Sequence, residues 1–357
     1  MTTVAVTGVG GVLGRRLVET LDVRDDVRRI VGLDVRPPAG LSSPKLAFRF
    51  ADVREPELEE ILSGCDVVVH LAFLFDPSRD EAQMHAVNVD GTRAVLRAAA
   101  KAGVTKLVYV SSGMVYGAHA DNDLPLTEDS PLRANPHFSY VEHKLEVEEW
   151  LWPWAEQHPG LTVTVLRPSI MAGAGVASFV TRLLEAPRFP VVKGHKPPMQ
   201  FAHVDDITSA LVHAIDRDLP GAYNVTSEGW ISFDEVTALL DRRVLELPEE
   251  VAFSSAERLW ELGVGVAPPG QLHYLMHPWV LSVERLKATG WQPRRSNRDA
   301  LAELIADHAD WVSVPGVRVR RSMLRGGSVA VAGVALAAGL VLLRLRRRAA
   351  ARDANPS

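Results

Sequence analysis

The stretch Val4-Ala-Val-Thr-Gly8-Val-Gly-Gly11-Val-Leu-Gly14 restricts the fold of this chain more than any other. A short apolar run, Val4 to Val6, reads as a buried strand and leads straight into a glycine-rich turn. Apolar residues then recur at Val12, Leu13, Leu17, Val18 and Leu21, which is a helical pattern. Strand, glycine turn and helix in this order open a dinucleotide-binding βαβ unit. Gly8 makes the tight turn out of the strand. Gly11 carries no side chain that would hold a pyrophosphate off the backbone, and Gly14 lets the helix approach the sheet. The free N–H groups and positive dipole end of the helix then face the phosphates.

The next strand, Arg29 to Asp34, ends in an acid twenty residues after Gly14. A carboxylate at that distance can accept both hydroxyls of an adenosine ribose. Asp34 therefore favours NAD over NADP, because a 2′-phosphate would meet its negative charge. Arg36 stands close enough to keep NADP as the alternative, and a solvated loop acid is the plain structural alternative for Asp34.

Apolar strands and helical patterns keep alternating through the first half, as a parallel sheet with helices on both faces requires. Lys45 to Phe50 reads as a strand followed by Asp52-Val53. The Asp52 carboxylate could reach an adenine amino group or simply cap the short helix at Glu55 to Ser63. Asp66 to Leu71 is a fully buried strand, and Leu71, Ala72 and Phe73 end near the expected cofactor. His70 reads as a core histidine rather than a catalyst. Asp80 to Ala102 is one long helical stretch carrying Asn88. Lys106 to Ser111 is a strand ending in Ser111-Ser112, hydroxyls at the carboxyl edge where ligands of parallel sheets bind.

After a proline- and acid-rich loop, Asp121 to Pro136, the segment Ser139 to Gln157 reads as a helix. It carries Tyr140-Val-Glu-His-Lys144, and a spacing of four puts Tyr140 and Lys144 on one face. A free phenol has a pKa near 10. A neighbouring ammonium would favour the phenolate and draw that value toward the working range. A serine hydroxyl donating to the same substrate oxygen would hold it for hydride transfer.

Together these residues resemble the extended short-chain dehydrogenase/reductases of the NAD-dependent epimerase/dehydratase family. The segments that carry the likeness are Thr7-Gly8-x-x-Gly11-x-x-Gly14, Asp34, Asp52-Val53, His70-Leu71-Ala72, Asn88-Val-Asp-Gly-Thr92, Ser111-Ser112-x-x-Val115-Tyr116-Gly117 and Tyr140-x-x-x-Lys144. Leu166-Arg167-Pro168 and Phe201-x-His203-Val204-Asp205-Asp206 extend it, so that it covers about residues 1 to 312. It implies a Rossmann-like doubly wound α/β sheet with a small C-terminal substrate lobe. It also implies Tyr140 as general acid/base, Lys144 on the nicotinamide ribose, and Ser112, with Ser111 as the fallback, on the substrate oxygen. Asn88 would support the architecture beside the cofactor. The backbone from Gly8 to Leu13 would hold the pyrophosphate, and Pro168 and Ser169 would border the nicotinamide. A nucleotide sugar is the substrate class implied first. The segment Arg167-Pro-Ser-Ile-Met-Ala-Gly-Ala-Gly175 departs from the asparagine-rich pattern of sugar-nucleotide enzymes. It looks closer to 3-beta-hydroxysteroid-dehydrogenase-like members acting on a lipid or sterol alcohol. A non-catalytic NAD-binding regulatory protein is the third reading. A homodimer is implied by the resemblance alone.

Beyond residue 166 the reading gives a strand at Val163 to Leu166, a helix opening at His203 to Asp206, a strand at Tyr223 to Thr226 and a helix over Ser232 to Leu245. His273 and His277 lie one turn apart without a carboxylate or cysteine to complete a metal site, so no metal is expected and they read as a wall of the substrate lobe. The expected organisation is a cofactor domain over 1–166, a substrate lobe interleaved with the same sheet over 167–312, a basic linker over 313–325, an apolar segment over 326–343 and a basic tail over 344–357. The single cysteine, Cys65, suits a reducing compartment. A net charge of −5 gives no reason to expect nucleic acid as a partner. Gly326 to Leu343 carries no charge and is bracketed by Arg325 and Arg344. As a helix it would be about 27 Å long, barely enough to span a bilayer. The expectation is a cytoplasmic catalytic domain anchored to the cell membrane, with a buried or oligomer-contacting helix as the alternative.

Overall fold

In the computed structural model, which describes residues 1–314 and 317–325, the apolar runs of the first half pair into one parallel sheet. Its elements are β1 (Thr2–Thr7), α1 (Val12–Asp22), β2 (Val27–Asp34), β3 (Leu46–Phe50), α2 (Leu58–Leu62), β4 (Val67–His70), α3 (Glu81–His85), α4 (Gly91–Lys101), β5 (Lys106–Val110), α5 (Ser139–Glu156) and β6 (Thr162–Pro168). The second half adds β7 (Ile170–Ala172), α6 (Phe179–Leu184), β8 (Phe189–Val192), β9 (Phe201–His203), α7 (Val204–Asp216), β10 (Gly221–Val225), α8 (Phe233–Leu240), β11 (Val244–Leu247) and α9 (Glu249–Leu262). It ends in α10 (His273–Met276), α11 (Glu284–Ala288), α12 (Asn297–Asp307), the hairpin β12 (Trp311–Val314) and β13 (Val317–Arg320), and α13 (Arg321–Arg325).

The seven strands of the main sheet run in the order β10-β6-β5-β4-β1-β2-β3, all parallel. The order reverses between β1 and β4, so their carboxyl ends splay apart and leave a crevice. Two apolar layers cover the sheet. On one face Val4, Val6 and Ile30 meet Leu17 and Leu21 of α1 and Ile207 and Leu211 of α7. On the other, Ala5, Val68 and Leu107 meet Leu58 and Leu62 of α2, Val95 of α4, and Val147 and Leu151 of α5. The expected Rossmann-like doubly wound sheet is the fold of this chain. A third cluster, built around Phe189, Phe201, Phe233, Val236 and Leu301, is the core of the smaller lobe.

The structure differs from the sequence reading at three places. The helix read over Ser232 to Leu245 stops at Leu240, because Asp241 turns left-handed at φ 47°. Val244–Leu247 then pairs in parallel with β8. The helix over Asp80 to Ala102 is interrupted by a π-turn at Ala86–Asp90, which contains Asn88. Part of the stretch read as a basic linker, residues 313–325, folds into the β12–β13 hairpin, where the Arg318 guanidinium lies 4.0 Å from the Trp311 ring centre. The apolar segment 326–343 and the tail after it lie outside the described residues. Among the described residues no helix is long and apolar enough to cross a membrane.

Candidate active site

The glycine turn is built as its sequence demands. Gly8 sits at φ +71°, and a Cβ there would come 2.7 Å from the Ala72 backbone nitrogen. A Cβ at Gly14 would strike the Gly8 carbonyl. Helix α1 starts at Gly11 with no side-chain cap and no acid in its first turn. Its leading N–H groups and positive dipole end are therefore left for an anion. One Asp34 carboxylate oxygen accepts from the Gly10 N–H at 2.9 Å and the other from the Arg36 N–H at 3.0 Å. The acid thus holds the glycine turn while keeping further lone pairs free to accept.

This turn forms one end of a cleft of about 700 Å³ that runs to the small lobe. Gly8, Gly11, Val12, Leu13 and Gly14 border its cofactor end, with Leu71 beside them. Ser111, Ser112, Tyr140, Lys144, Pro168 and Ser169 line its middle. Residues more than a hundred positions apart in sequence are thereby brought to one crevice at the carboxyl edge of the sheet.

Asp52, Val53, Ala72 and Asn88, also expected at the cofactor, are not among the residues that border this cleft. Asp52 is held by Arg54, whose Nε and Nη2 donate to its carboxylate at 2.8 and 2.6 Å; this bond holds Asp52 below the usual carboxylate range. Val53 is buried and lies against Gly91 of α4. The Ala72 N–H donates to Thr7 Oγ1 at 3.2 Å. Asn88 is fully buried; its Oδ1 accepts from the Leu74 N–H at 2.7 Å, and its Nδ2 donates to the Leu74 carbonyl at 3.1 Å. The π-turn aims this amide at the loop after β4. His70 is a core histidine, with Nδ1 2.7 Å from Thr7 Oγ1 and Nε2 2.9 Å from Thr92 Oγ1. Burial pushes its pKa down to about 3.

The two serines have separate surroundings. The Ser111 hydroxyl donates to Glu148 Oε1 at 2.5 Å. Glu148 pairs with Arg167 at 2.5 Å, and Arg167 donates to the Tyr116 hydroxyl at 2.7 Å, all of it buried. Ser112 instead lies against the Tyr140 phenol, where its hydroxyl favours the ionised form. Glu148 was not singled out in the sequence, although it lies four residues beyond Lys144 on the same helix face, a spacing that places it beside the site.

The Tyr140–Lys144 pair differs from its sequence reading. Both side chains are buried. Burial pushes the Tyr140 phenol up to about 12, against the opposing effect of Ser112. Burial likewise holds the Lys144 ammonium well below the ordinary lysine range, opposed by the Glu148 charge. Lys144 Nζ donates to the Val110 carbonyl at 2.7 Å and stands 3.4 Å from the Phe73 ring centre. The expected lowering of the phenol does not occur in this geometry, because desolvation outweighs any help from a lysine turned toward Val110 and Phe73. At neutral pH Tyr140 holds its proton.

The small-lobe end of the cleft is aromatic, a feature that the sequence reading missed. The Phe75 ring stands edge-on to Tyr140 at 4.8 Å and stacks on Phe179 at 5.2 Å. Tyr274 and Trp279 complete this wall. Among the described residues, Arg36 and Lys144 are the cations bordering the cleft. Arg182, next to it, is paired with Asp76 at 2.9 Å. His273 and His277 belong to the small lobe, and burial lowers the pKa of both.

A glycine turn at the switch point of a parallel sheet, with Ser112, Tyr140 and Lys144 at its carboxyl edge, is the architecture of an extended short-chain dehydrogenase/reductase. The chain belongs to the NAD dependent epimerase/dehydratase family, whose profile matches residues 4–226. It is 28% identical over 315 residues to the protein y4nG of Sinorhizobium fredii, covering 84% of this chain and 77% of that one. It is 29% identical over 238 residues to the 4-hydroxy-2-methyl-3-oxo-4-farnesyl-3,4-dihydroquinoline-1-oxide ketoreductase of Stigmatella aurantiaca, covering 63% of this chain and 67% of that one. Its fold is similar to that of MoeE5 in complex with UDP-glucuronic acid and NAD, with TM-score 0.68, 25% identity, and 86% of this chain and 99% of that one covered.

Proposed function

We propose that this chain is an NAD-dependent oxidoreductase acting at a secondary alcohol or ketone, with an apolar substrate in the aromatic end of the cleft. The convergence of Ser112, Tyr140 and Lys144 beside a Phe75–Phe179 wall carries the reading. The residues fit the cofactor: an uncapped helix start, two glycines whose Cβ atoms would collide, and Asp34 at the turn. The α1 N-terminus would hold the pyrophosphate, Asp34 the adenosine ribose and Lys144 the nicotinamide ribose. When bound, the nicotinamide would exchange hydride with the carbon that bears the substrate oxygen. Ser112 orients that oxygen by hydrogen bonding, and Tyr140 gives it a proton during reduction or takes one during oxidation. The aromatic wall excludes water from the reacting carbon. Asp34 favours NAD over NADP for the charge reason given above.

The apolar preference rests on charge. A nucleotide sugar brings a diphosphate, whereas, among the described residues bordering the cleft, the cations are Arg36 at the cofactor end and Lys144, which donates to the Val110 carbonyl. The farnesyl-bearing compound in the name of the Stigmatella ketoreductase points the same way. The second reading, epimerisation or dehydration of a nucleotide sugar, is favoured by the likeness to MoeE5. A purely regulatory NAD-binding role gives no reason for Tyr140 and Lys144 to stand together on one buried helix face.

The deciding experiment follows NAD redox state while the purified protein is given, separately, a hydroxysteroid and UDP-glucuronic acid. Stoichiometric NADH from the hydrophobic alcohol supports the proposal. Conversion of the sugar nucleotide with no net NADH overturns it in favour of the second reading. Two further parts of the proposal stand on sequence and resemblance: attachment to a membrane through the apolar segment 326–343, and a homodimer, which sedimentation velocity would test.

A further inference from the structure

The cleft wall formed by residues 174–185 does not hold itself in place. Ser178 caps α6 through Thr181, and Phe179, Leu183 and Leu184 border the cleft; from the sheet side Phe179 stacks on Phe75, Arg182 pairs with Asp76, and Arg16 Nη2 donates to the Ala174 carbonyl at 2.9 Å. Its ends are gripped from the C-terminal part of the chain. The Ala174 N–H donates to Glu303 Oε1 at 3.1 Å, and the Gly175 N–H to Asp307 Oδ2 at 3.0 Å, both from α12. His308, just after α12, reaches both ends at once. Its Nε2 lies 2.7 Å from the Val176 carbonyl and its Nδ1 2.5 Å from Glu185 Oε1. The hairpin closes the bracket. Arg318 Nη2 donates to Glu185 Oε1 at 2.6 Å, the Ser313 hydroxyl donates to Oε2, and the Ser313 N–H reaches the Glu185 carbonyl at 3.3 Å.

Glu185 is therefore a fully buried carboxylate with an imidazole, a guanidinium and a hydroxyl on it, all from residues beyond 307. Such charge-assisted bonds are strong and directional, and they are made here away from water. Burial alone would raise the Glu185 pKa, but these partners hold it below its ordinary value. None of these groups borders the cleft, yet Val176, Phe179 and Leu184 between the gripped ends do.

We propose that Glu185, His308 and Arg318 are positioning residues for the substrate: a C-terminal bracket that fixes the 176–185 wall and thereby sets the width of the apolar end of the cleft. This inference rests on the reading of the cleft as the substrate site. It assigns the segment after α12 a role in substrate affinity, with none in cofactor binding.

The test uses the full chain and the variants Arg318→Ala, Arg318→Lys and His308→Gln. Amide exchange is followed at 174–189, Nile red serves as an apolar probe of the cleft, and NAD affinity is titrated alongside. Arg318 is partly exposed, so its replacement leaves a folded protein even where His308→Gln does not. The expected result for Arg318→Ala is faster exchange confined to 174–189, about tenfold weaker Nile red binding and unchanged NAD affinity, with Arg318→Lys restoring the first two. Once a substrate is known, KM rises with kcat held. Unchanged exchange at 174–189 in Arg318→Ala overturns the bracket. So does faster exchange spread over the whole sheet, or no rescue by lysine. If wild-type protein fails to bind Nile red, the apolar-substrate reading falls while exchange still judges the bracket.

Discussion

Tyr140 and His70 illustrate how burial decides what a titratable side chain can do. The phenol, raised to about 12 by burial, keeps its proton at neutral pH, and in the proposed mechanism it gives that proton to the substrate oxygen that Ser112 orients. Replacing Tyr140 with Phe removes that proton. It should lower kcat by roughly 10²–10⁴-fold, the usual worth of a positioned acid, with NAD affinity unchanged; steady-state turnover and a cofactor titration check both. A variant with full turnover would end the proposed mechanism. His70 affects stability rather than rate. Its ring stays neutral in the fold down to about pH 3, whereas an unfolded histidine takes a proton near pH 6.5. Between those values the unfolded chain binds more protons, so stability rises with pH across that window and is lost as pH falls through it. Each pKa unit of the depression is worth about 1.4 kcal/mol. Urea midpoints measured from pH 7 to pH 4 should fall, and a His70→Gln variant should show a flatter decline.

At the scale of elements, two buried polar devices hold the site. The π-turn between α3 and α4 aims Asn88 at the loop after β4, where its amide bonds the Leu74 N–H and carbonyl, with His143 Nδ1 3.4 Å from its Nδ2. Asn88→Ala removes both bonds to the part-buried Leu74 backbone, at a cost of about 1 kcal/mol. The expected readout is a lower urea midpoint, together with weaker cofactor binding as Leu71 and Phe73 lose their fixed position. The second device joins α5 to β5 and β6. Glu148 takes Ser111 from one strand and Arg167 from the other, with side chains 0% and 4% exposed for the acid and the guanidinium. Removing only the acid strands a buried charge. Glu148→Ala should therefore cost about 3–5 kcal/mol in chemical denaturation, whereas an unchanged midpoint would show that Arg167 finds another partner.

For the whole molecule, the sheet carries the cofactor end and the small lobe carries the apolar end, and the cleft exists because β1 and β4 diverge at the reversal of strand order. The apolar segment 326–343 follows this unit in sequence. If it anchors the protein, deleting residues 326–357 should move the protein from the membrane fraction to the supernatant after ultracentrifugation, with cofactor affinity retained. Unchanged partitioning would remove the anchor from the proposal.

Much of this protein was legible in the order of its residues. Local chemistry requires a strand, a Gly8–Gly14 turn and a helix. The period of the apolar residues requires a parallel sheet, and a spacing of four puts Tyr140 and Lys144 on one face; none of these depends on distant contacts. The domain boundaries, and the roles of Asp52 and Val53 toward adenine, remain expectations. What the sequence could not carry were properties that depend on who lies opposite. That Ser111 donates to Glu148 whereas Ser112 lies against Tyr140 depends on Glu148 packing opposite the end of β5. The pKa of Tyr140 turns on how dry its pocket is. The end of α8 turns on Asp241 going left-handed so that β11 can join β8. The aromatic wall and the bracket around Glu185 join residues far apart in sequence, whose common purpose has no period or motif. Local and periodic constraints are written along the chain, whereas desolvation and long-range pairing are set only when the chain closes on itself.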